Sequence, residues 1–221
     1  MKTGLFFLLI IFQFFLTQSN EHITFDKLLA DLKKDAKMKK MAIAGADIPE
    51  TLKTSRLAKD MKIGDSILIG NEEKIRKIAE ESEIDISDFQ IVNLNDRTEI
   101  SRYAVKLVHD GDADMYVKGN IETRDVLKAV LDNEIGLKVV DELISLVGVF
   151  EIDGKMKYLT DPSVIPYPGL KEKVQLINNA VKFAESTGLK NPKVAAVTAI
   201  SITNPRMPET MEAEQLSKMN D

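Results

Sequence analysis

Short apolar runs alternate with amphipathic segments along most of the chain after residue 23. The runs are rich in Ile, Val, Leu and Ala, which is typical of strands buried on both faces of a parallel sheet. They predict strands over residues 41–46, 66–70, 89–93 and 114–118. The segments around them have apolar residues at helical spacing and predict helices over residues 24–37, 49–61, 72–81, 98–109 and 123–132. This alternation predicts an α/β fold of βαβ units with a mainly parallel sheet and helices on both faces.

The pattern changes after about residue 140. Two apolar stretches, residues 144–152 and 155–160, flank an Asp153-Gly154 pair and predict a β-hairpin with a tight turn. A helix over 169–186, a buried strand over 193–198 and a helix over 209–219 are predicted to follow. We therefore expect a first α/β domain over 23–140 and a second over 141–221. The second domain is expected to be incomplete, because the chain stops directly after helical sequence.

Residues 1–20 form an apolar leader that we treat separately from the fold. Lys2 precedes an apolar run from Gly4 to Leu16 that only Gln13 interrupts, and small and polar residues follow. This order is typical of a secretory signal peptide, and the run is short for a membrane-spanning helix. An N-terminal extension that is not natively used is the alternative interpretation.

Composition excludes several classes of protein. Apolar residues make up 44% of the chain and charged residues 29%, so a sizeable core is expected. The net charge of -5, with Lys and Glu interspersed, gives no indication of a nucleic-acid-binding surface. The sequence has no Cys, which excludes disulfides, thiolate catalysis and Cys-ligated zinc. With only His22 and His109, a His-rich metal site is excluded as well.

The loop after the predicted strand 114–118 carries residues suited to phosphate. Lys118 supplies a mobile cation, and Gly119 lets a ligand approach the backbone closely. Asn120 and Thr123 add hydrogen-bond donors near the start of the next helix, whose free amides and positive dipole end suit an anion. Loops at the carboxyl ends of parallel strands are the usual ligand sites of such sheets. An ordinary strand-to-helix turn is the alternative, and the Walker-loop spacing is absent.

Two further loops hold candidate polar residues. Arg206 lies between two prolines after the predicted strand 193–198, beside Asn204, so its guanidinium is held stiffly and can bind phosphate or carboxylate. A rigid surface turn with a solvated Arg206 is an equally good interpretation. Asp161 follows the predicted hairpin, where it either binds a polar group or forms an Asx turn before Pro162, and the pattern favours the turn.

Taken in order, several segments resemble the phosphate acetyl/butyryl transferase family, and its butyryl branch most closely. The similarity runs from about residue 41 to Asp221. The segments that carry it are residues 113–120 with Thr123, 159–161, 170–181, 191–195, 203–208 and 216–219.

The resemblance implies an isocitrate-dehydrogenase-like fold, with two α/β domains around a cleft, and a homo-oligomer at full length. It implies transfer of an acyl group, butyryl or acetyl, between coenzyme A and inorganic phosphate to form an acyl phosphate. Coenzyme A is then a substrate, and no metal or redox cofactor is expected. A cytoplasmic protein is expected, or an exported or membrane-anchored one if the leader is native. The implied substrate-binding residues are Lys118, Gly119, Asn120, Thr123, Asp161, Asn204 and Arg206.

The sequence departs from the family pattern in two respects. The family continues into a segment with a Ser-Arg pair and a nearby Asp that serve catalysis, which is expected beyond Asp221, so this chain resembles a C-terminally truncated member and its catalytic residues are unassigned. Related sequences also have an Asn at the position of Ile165, whose side chain forms no hydrogen bonds. A catalytically inactive remnant that binds coenzyme A or phosphate is therefore the alternative function.

Overall fold

The structure is a computed structural model that describes residues 23–34 and 37–219. Its helices are α1 (Phe25–Leu32), α2 (Pro49–Asp60), α3 (Glu72–Glu81), α4 (Arg97–His109), α5 (Thr123–Val130), α6 (Leu170–Ser186) and α7 (Pro208–Lys218). Its strands are β1 (Lys39–Ala44), β2 (Gly64–Gly70), β3 (Gln90–Asn93), β4 (Met115–Lys118), β5 (Val147–Ile152) and β6 (Lys155–Thr160). Most bounds lie within three residues of the predicted ones, but α1 ends earlier than predicted. The leader over residues 1–20 lies outside the described residues.

A four-stranded parallel sheet organises the first half of the chain, in the order β3-β2-β1-β4. The chain moves outward from β1 to β2 to β3, and then crosses back through α4 to place β4 on the other side of β1. The order of the strands thus reverses between β1 and β4, which is the topological switch point of the sheet. The predicted α/β fold with a mainly parallel sheet is confirmed.

Helices cover both faces of this sheet, and each face has its own apolar cluster. Because side chains alternate along a strand, Ile43 lies on the face of α2 and α3, while Ala42 and Ala44 lie on the face of α4. The first cluster contains Ile43, Ala46, Leu52, Leu68, Ile75, Ala79, Ile86 and Phe89. The second contains Ala42, Ala44, Ile67, Ile69, Ile100, Ala104, Ala113 and Ile121. The central strands are buried on both faces, which explains their continuous apolar runs.

Local sequence explains where the helices of the sheet begin. The side-chain oxygen of Asn71 accepts a hydrogen bond of 2.8 Å from the backbone N–H of Lys74, and so caps α3. Asp96 caps α4 in the same way through the N–H of Glu99, at 2.9 Å. Pro49 occupies the first turn of α2, where its missing N–H leaves no hydrogen bond unmade. These caps place the amino ends of the helices at the carboxyl edge of the sheet.

The second half of the chain contains the predicted hairpin, with β5 antiparallel to β6. Asp153 and Gly154 form its turn with φ angles of 51° and 66°, the left-handed conformation that a two-residue hairpin turn of this kind requires. The inner face of the hairpin packs on α6, where the rings of Tyr158 and Phe183 meet edge to face at 6.2 Å. The Tyr158 hydroxyl also forms a 2.5 Å hydrogen bond with the hydroxyl of Thr187.

Helix α1 precedes the sheet in sequence but contacts the hairpin. The carbonyl of Ile23 accepts a 2.9 Å hydrogen bond from the N–H of Met156, and the N–H of Phe25 donates to a carboxylate oxygen of Glu151 at 2.8 Å. These contacts join the start of the described chain to its second half. The division into domains over 23–140 and 141–221 stays a prediction.

The predicted strand over residues 193–198 is wrong. These residues carry no strand, and none of the described strands pairs with them. Val197 is 90% exposed and Val194 is also exposed, so the apolar run is not a buried one here. The physical reason is that a strand needs a neighbour for its backbone N–H and C=O groups, and an apolar pattern alone does not provide one.

Candidate functional site

The carboxyl ends of β1 and β4 meet at the switch point through their backbones. The N–H of Gly119 donates to the carbonyl of Ala44, and the N–H of Asn120 donates to the carbonyl of Gly45, each at 2.8 Å. The carbonyl of Ile69 on β2 accepts from the N–H of Gly45 at 2.9 Å. The loops after β1 and β4 and the end of β2 are therefore joined by hydrogen bonds at one point of the sheet edge.

Two glycines allow this close approach. Gly45 has a φ of +73°, and a Cβ built on it would lie 2.7 Å from the carbonyl oxygen of Asn120. A Cβ on Gly119 would lie 2.9 Å from the carbonyl oxygen of Ala44 and still closer to that of Gly45. Real Cβ atoms do not approach backbone atoms this closely, so both positions require glycine.

The first predicted loop is tied to the end of β1 through its backbone. The amides of Gly119 and Asn120 donate to the carbonyls of Ala44 and Gly45, because the loop continues the pairing of β4 with β1 beyond the strand ends, so these two amides are not available to a phosphate. Lys118 and Thr123 are exposed, and no hydrogen bond or ion pair joins the Lys118 ammonium to another described residue. Anion binding at this loop would thus rely on the side chain of Lys118 and the amides at the start of α5.

An Asp47–Arg97 ion pair lies at the same edge, and the sequence analysis missed it. Nη1 and Nη2 of Arg97 each donate to one carboxylate oxygen of Asp47, both at 3.1 Å. Nη1 also donates to the carbonyl of Asn120. The Asp47 side chain is 7% exposed and that of Arg97 39%. The available signal was the placement of Asp47 directly after the first strand and of Arg97 at the start of the helix after the third.

Tyr116 connects β4 to α4 one turn below this pair. Its hydroxyl lies 3.1 Å from the hydroxyl of Ser101, which donates to the carbonyl of Asp125 at 3.2 Å. Burial raises the pKa of the Tyr116 hydroxyl above its usual value of 10.0. The hydroxyl therefore stays protonated at neutral pH and serves the packing of β4, α4 and α5.

Asp161 acts within its own loop. One of its carboxylate oxygens accepts from the amides of Ser163 and Val164, each at 3.0 Å, and the other from the amide of Ile165 at 3.1 Å. This is the Asx-type turn that the sequence favoured over a binding role. A role of Asp161 toward substrate stays a prediction.

Asn204 and Arg206 lie in a second loop, which Thr210 stabilises. The Thr210 hydroxyl accepts from the N–H of Asn204 at 2.8 Å and donates to the carbonyl of Met207 at 2.7 Å. The side-chain oxygen of Asn204 accepts from the N–H of Arg206 at 2.9 Å. These hydrogen bonds connect the backbone of the loop to the start of α7, and Arg206 is exposed.

The loop of Lys118 and the loop of Arg206 are not in polar contact with one another. No hydrogen bond or ion pair between the described residues links the loop of Lys118 to that of Arg206. A cavity of about 1500 Å³ lies elsewhere, between α1, β6, α6, α7 and residues 189–198. Asp161 lines this cavity and Arg206 does not. Of the predicted site residues, those from Lys118 to Thr123 share one loop and Asn204 and Arg206 share another, while Asp161 lines the cavity.

The described residues contain neither a candidate metal cluster nor a candidate membrane-spanning helix. Over 23–34 and 37–219, no group of three or more Asp, Glu or His could hold a metal ion. In the same ranges no helix has the length and apolar character needed to cross a membrane.

Comparison with known proteins gives a consistent result. The family described as phosphate acetyl/butaryl transferase matches residues 97–221. The phosphate butyryltransferase of Clostridium acetobutylicum is 42% identical over 190 residues, which cover 85% of this chain and 63% of that protein. The phosphate acetyltransferase of Thermotoga maritima is 37% identical over 186 residues, which cover 83% of this chain and 63% of that protein.

Solved structures agree with these relatives. A branched-chain phosphotransacylase from Enterococcus faecalis superposes with a TM-score of 0.68 at 28% identity, covering 83% of this chain and 65% of that one. A phosphotransacetylase from Streptococcus pyogenes has the same fold, with a TM-score of 0.69 at 17% identity, over 90% of this chain and 70% of that one. The chain spans about 63% of the length of the curated relatives named above. The family match over residues 97–221 covers more than half of this chain. The chain therefore belongs to the phosphate acetyl/butaryl transferase family.

Proposed function

We propose that this protein transfers an acyl group, butyryl or acetyl, between coenzyme A and inorganic phosphate. The family match over residues 97–221 supports this most directly, because it includes the loops of Lys118 and Arg206. A butyryltransferase and an acetyltransferase are both among the relatives, which is why both acyl groups are kept. An apolar pocket separates chains that differ by one or two methylenes by only ~1–3 kcal/mol, so activity on both is expected.

The chemistry defines what the site must do. A phosphate oxygen attacks the thioester carbonyl carbon, the carbon–sulfur bond breaks, and coenzyme A leaves as a thiolate that takes up a proton. Positioned cations and hydrogen-bond donors favour the approach of the phosphate and stabilise the negative charge that develops on the carbonyl oxygen. Lys118 and Arg206 are exposed cations suited to the phosphate groups, and Asn120, Thr123 and Asn204 add polar groups beside them.

Gly119 and Asp161 have supporting roles in this proposal. Gly119 holds the first loop against the carbonyl of Ala44. Asp161 holds residues 163–165 in a turn through their amides. Both residues then keep a loop in place instead of taking part in the reaction, and coenzyme A is a substrate with no further cofactor required.

A thiol-release assay tests the function cleanly. The protein contains no Cys, so a thiol reagent detects only the coenzyme A that is released. We expect phosphate-dependent thiol release from butyryl-CoA and acetyl-CoA, and a large loss of it in Arg206→Ala. Arg76→Ala is the matched control, because among the residues that the structure describes Arg76 pairs only with Glu72, and both residues lie on α3, outside the two loops.

The assay also addresses the inactive alternative. Binding of coenzyme A in calorimetry without phosphate-dependent release would contradict the proposed transfer and favour a binding module. Release that is unchanged in Arg206→Ala would remove Arg206 from the proposed site. We keep a homo-oligomer in the cytoplasm as the predicted form, which light scattering and fractionation measure directly.

A further inference from the structure

The guanidinium of Arg97 is only partly used by the protein. Nη1 and Nη2 donate side by side to Asp47, and the second N–H of Nη1 reaches the carbonyl of Asn120. Three of the about five N–H donors that a guanidinium carries are therefore occupied, all of them by Asp47 and Asn120. The donors that remain are Nε–H and the second N–H of Nη2, and no described residue accepts from them. These two N–H groups lie on the same side of the guanidinium and form a second fork.

The pair with Asp47 holds this fork in place. The Asp47 carboxylate is 7% exposed and is fixed in the loop after β1, whereas the Arg97 side chain is 39% exposed. A guanidinium that is clamped on one side and open on the other is preorganised for an anion, since little side-chain entropy is lost on binding. Two parallel N–H donors match two oxygens of a phosphate or carboxylate.

Lys118 lies at the same edge of the sheet as Arg97. Tyr116 contacts Ser101 of α4 at 3.1 Å. Lys118 follows Tyr116 by two residues, about 6.6 Å further along β4 and on the same face of the strand. Arg97 precedes Ser101 by four residues, about 6 Å toward the amino end of α4. The helix runs opposite to the strand, so both steps lead to the same edge of the sheet, and Arg97 and Lys118 both belong to that edge.

The backbone at this edge is closely packed. Gly45 and Gly119 have no side chains, and the loops that carry them pack on one another at the switch point. In open α/β sheets the crevice at such a point is the usual ligand site. The Asp47 carboxylate is paired with Arg97, and the ammonium of Lys118 forms no ion pair with a described residue.

The geometry points to a phosphate-binding site formed by Arg97 and Lys118 at the switch point. Arg97 binds two oxygens of a phosphate group through its free fork, Lys118 binds a third, and Asp47 is the positioning residue that holds the fork. The inference rests on the proposed function for the source of the phosphate, which is either inorganic phosphate or a phosphate of coenzyme A.

Binding measurements on the full chain test this site without requiring turnover. Inorganic phosphate and coenzyme A are titrated separately by calorimetry, with the Arg97→Lys and Lys118→Gln variants beside the parent. Arg97→Lys keeps the charge but loses the fork. Because charge-assisted hydrogen bonds are lost, we expect its dissociation constant for the ligand that occupies the site to rise roughly tenfold or more. Lys118 is exposed, so Lys118→Gln keeps the fold and is expected to weaken binding to a similar extent. Arg76→Lys is the matched control and is expected to bind as the parent does.

The two titrations separate the sources of the phosphate. Weaker binding of inorganic phosphate in both variants assigns the site to the free anion. Weaker binding of coenzyme A alone assigns it to the nucleotide phosphates. Unchanged binding of both ligands in folded Arg97→Lys and Lys118→Gln overturns the inference, as does the absence of any phosphate or coenzyme A binding by the parent. Thiol release is measured independently, so failure of this site and failure of the proposed function are distinguishable.

Discussion

Replacing Gly45 with Ala perturbs the switch point at the place where the loops after β1 and β4 touch. Two unfavourable effects act together. The φ of +73° is the left-handed conformation, which costs a residue with a Cβ about 1–2 kcal/mol. The added methyl would also lie 2.7 Å from the carbonyl oxygen and 2.9 Å from the carbonyl carbon of Asn120, and overpacking of this kind costs about 1–3 kcal/mol.

Gly111→Ala is the matched control that separates the two effects. Gly111 has a φ of +83°, close to that of Gly45, but a Cβ there would meet nothing within 4 Å. Both substitutions reduce the freedom of the unfolded chain equally, by about 0.4–1 kcal/mol. The difference between the variants is therefore the steric effect alone, so Gly45→Ala is expected to be less stable than Gly111→Ala by about 1–3 kcal/mol.

Urea unfolding followed by far-ultraviolet circular dichroism measures this difference, because the protein has no Trp to report by fluorescence. The midpoints are compared when the slopes of the two transitions agree. Equal midpoints for Gly45→Ala and Gly111→Ala would refute the reasoning, since they would mean that the loops move apart at no cost. Gly119→Ala is also expected to lower the midpoint, but through the steric effect alone, because its Cβ would meet the carbonyl oxygens of Ala44 and Gly45 while its φ is not positive.

Two further predictions concern stability. Phe89 is buried under the cations of Arg56 and Lys59, which lie 5.1 Å and 4.5 Å from its ring centroid, so Phe89→Ala is expected to lower the free energy of unfolding by about 3–5 kcal/mol. Phe89→Leu keeps most of the apolar volume but not the ring and should lose clearly less; equal losses would contradict the assignment of most of the effect to buried apolar volume. The hydrogen bond from the backbone N–H of Lys40 holds the pKa of the Asp114 carboxyl below its usual 3.8. The ionised carboxylate therefore stabilises the fold at pH values above 3.8, and this stabilisation is lost as the pH falls through the lowered pKa. Asp114→Asn is therefore expected to unfold less steeply between pH 5 and pH 3 in acid titration, and an unchanged acid transition would count against this assignment.

The candidate site was predictable in part. The loop of Lys118 and Gly119 was placed correctly at the carboxyl edge of the sheet, because a loop that follows a parallel strand must lie there. The use of its amides was not predictable, because it depends on the carbonyls of Ala44 and Gly45, more than seventy positions earlier in the chain. Arg97 was missed for the same reason, since its partner Asp47 is fifty positions away.

The sequence by itself determined the local elements of this protein. Apolar runs marked β1 to β4, Asn71 marked the start of α3, and Asp153-Gly154 marked the hairpin turn, because each signal depends on residues adjacent in the chain. Only the tertiary structure decided that β4 lies beside β1, that Asp47 meets Arg97, and that residues 193–198 have no strand partner. Strand pairing and ion pairing between distant segments are set by the packing of the whole chain, so no local pattern specifies them.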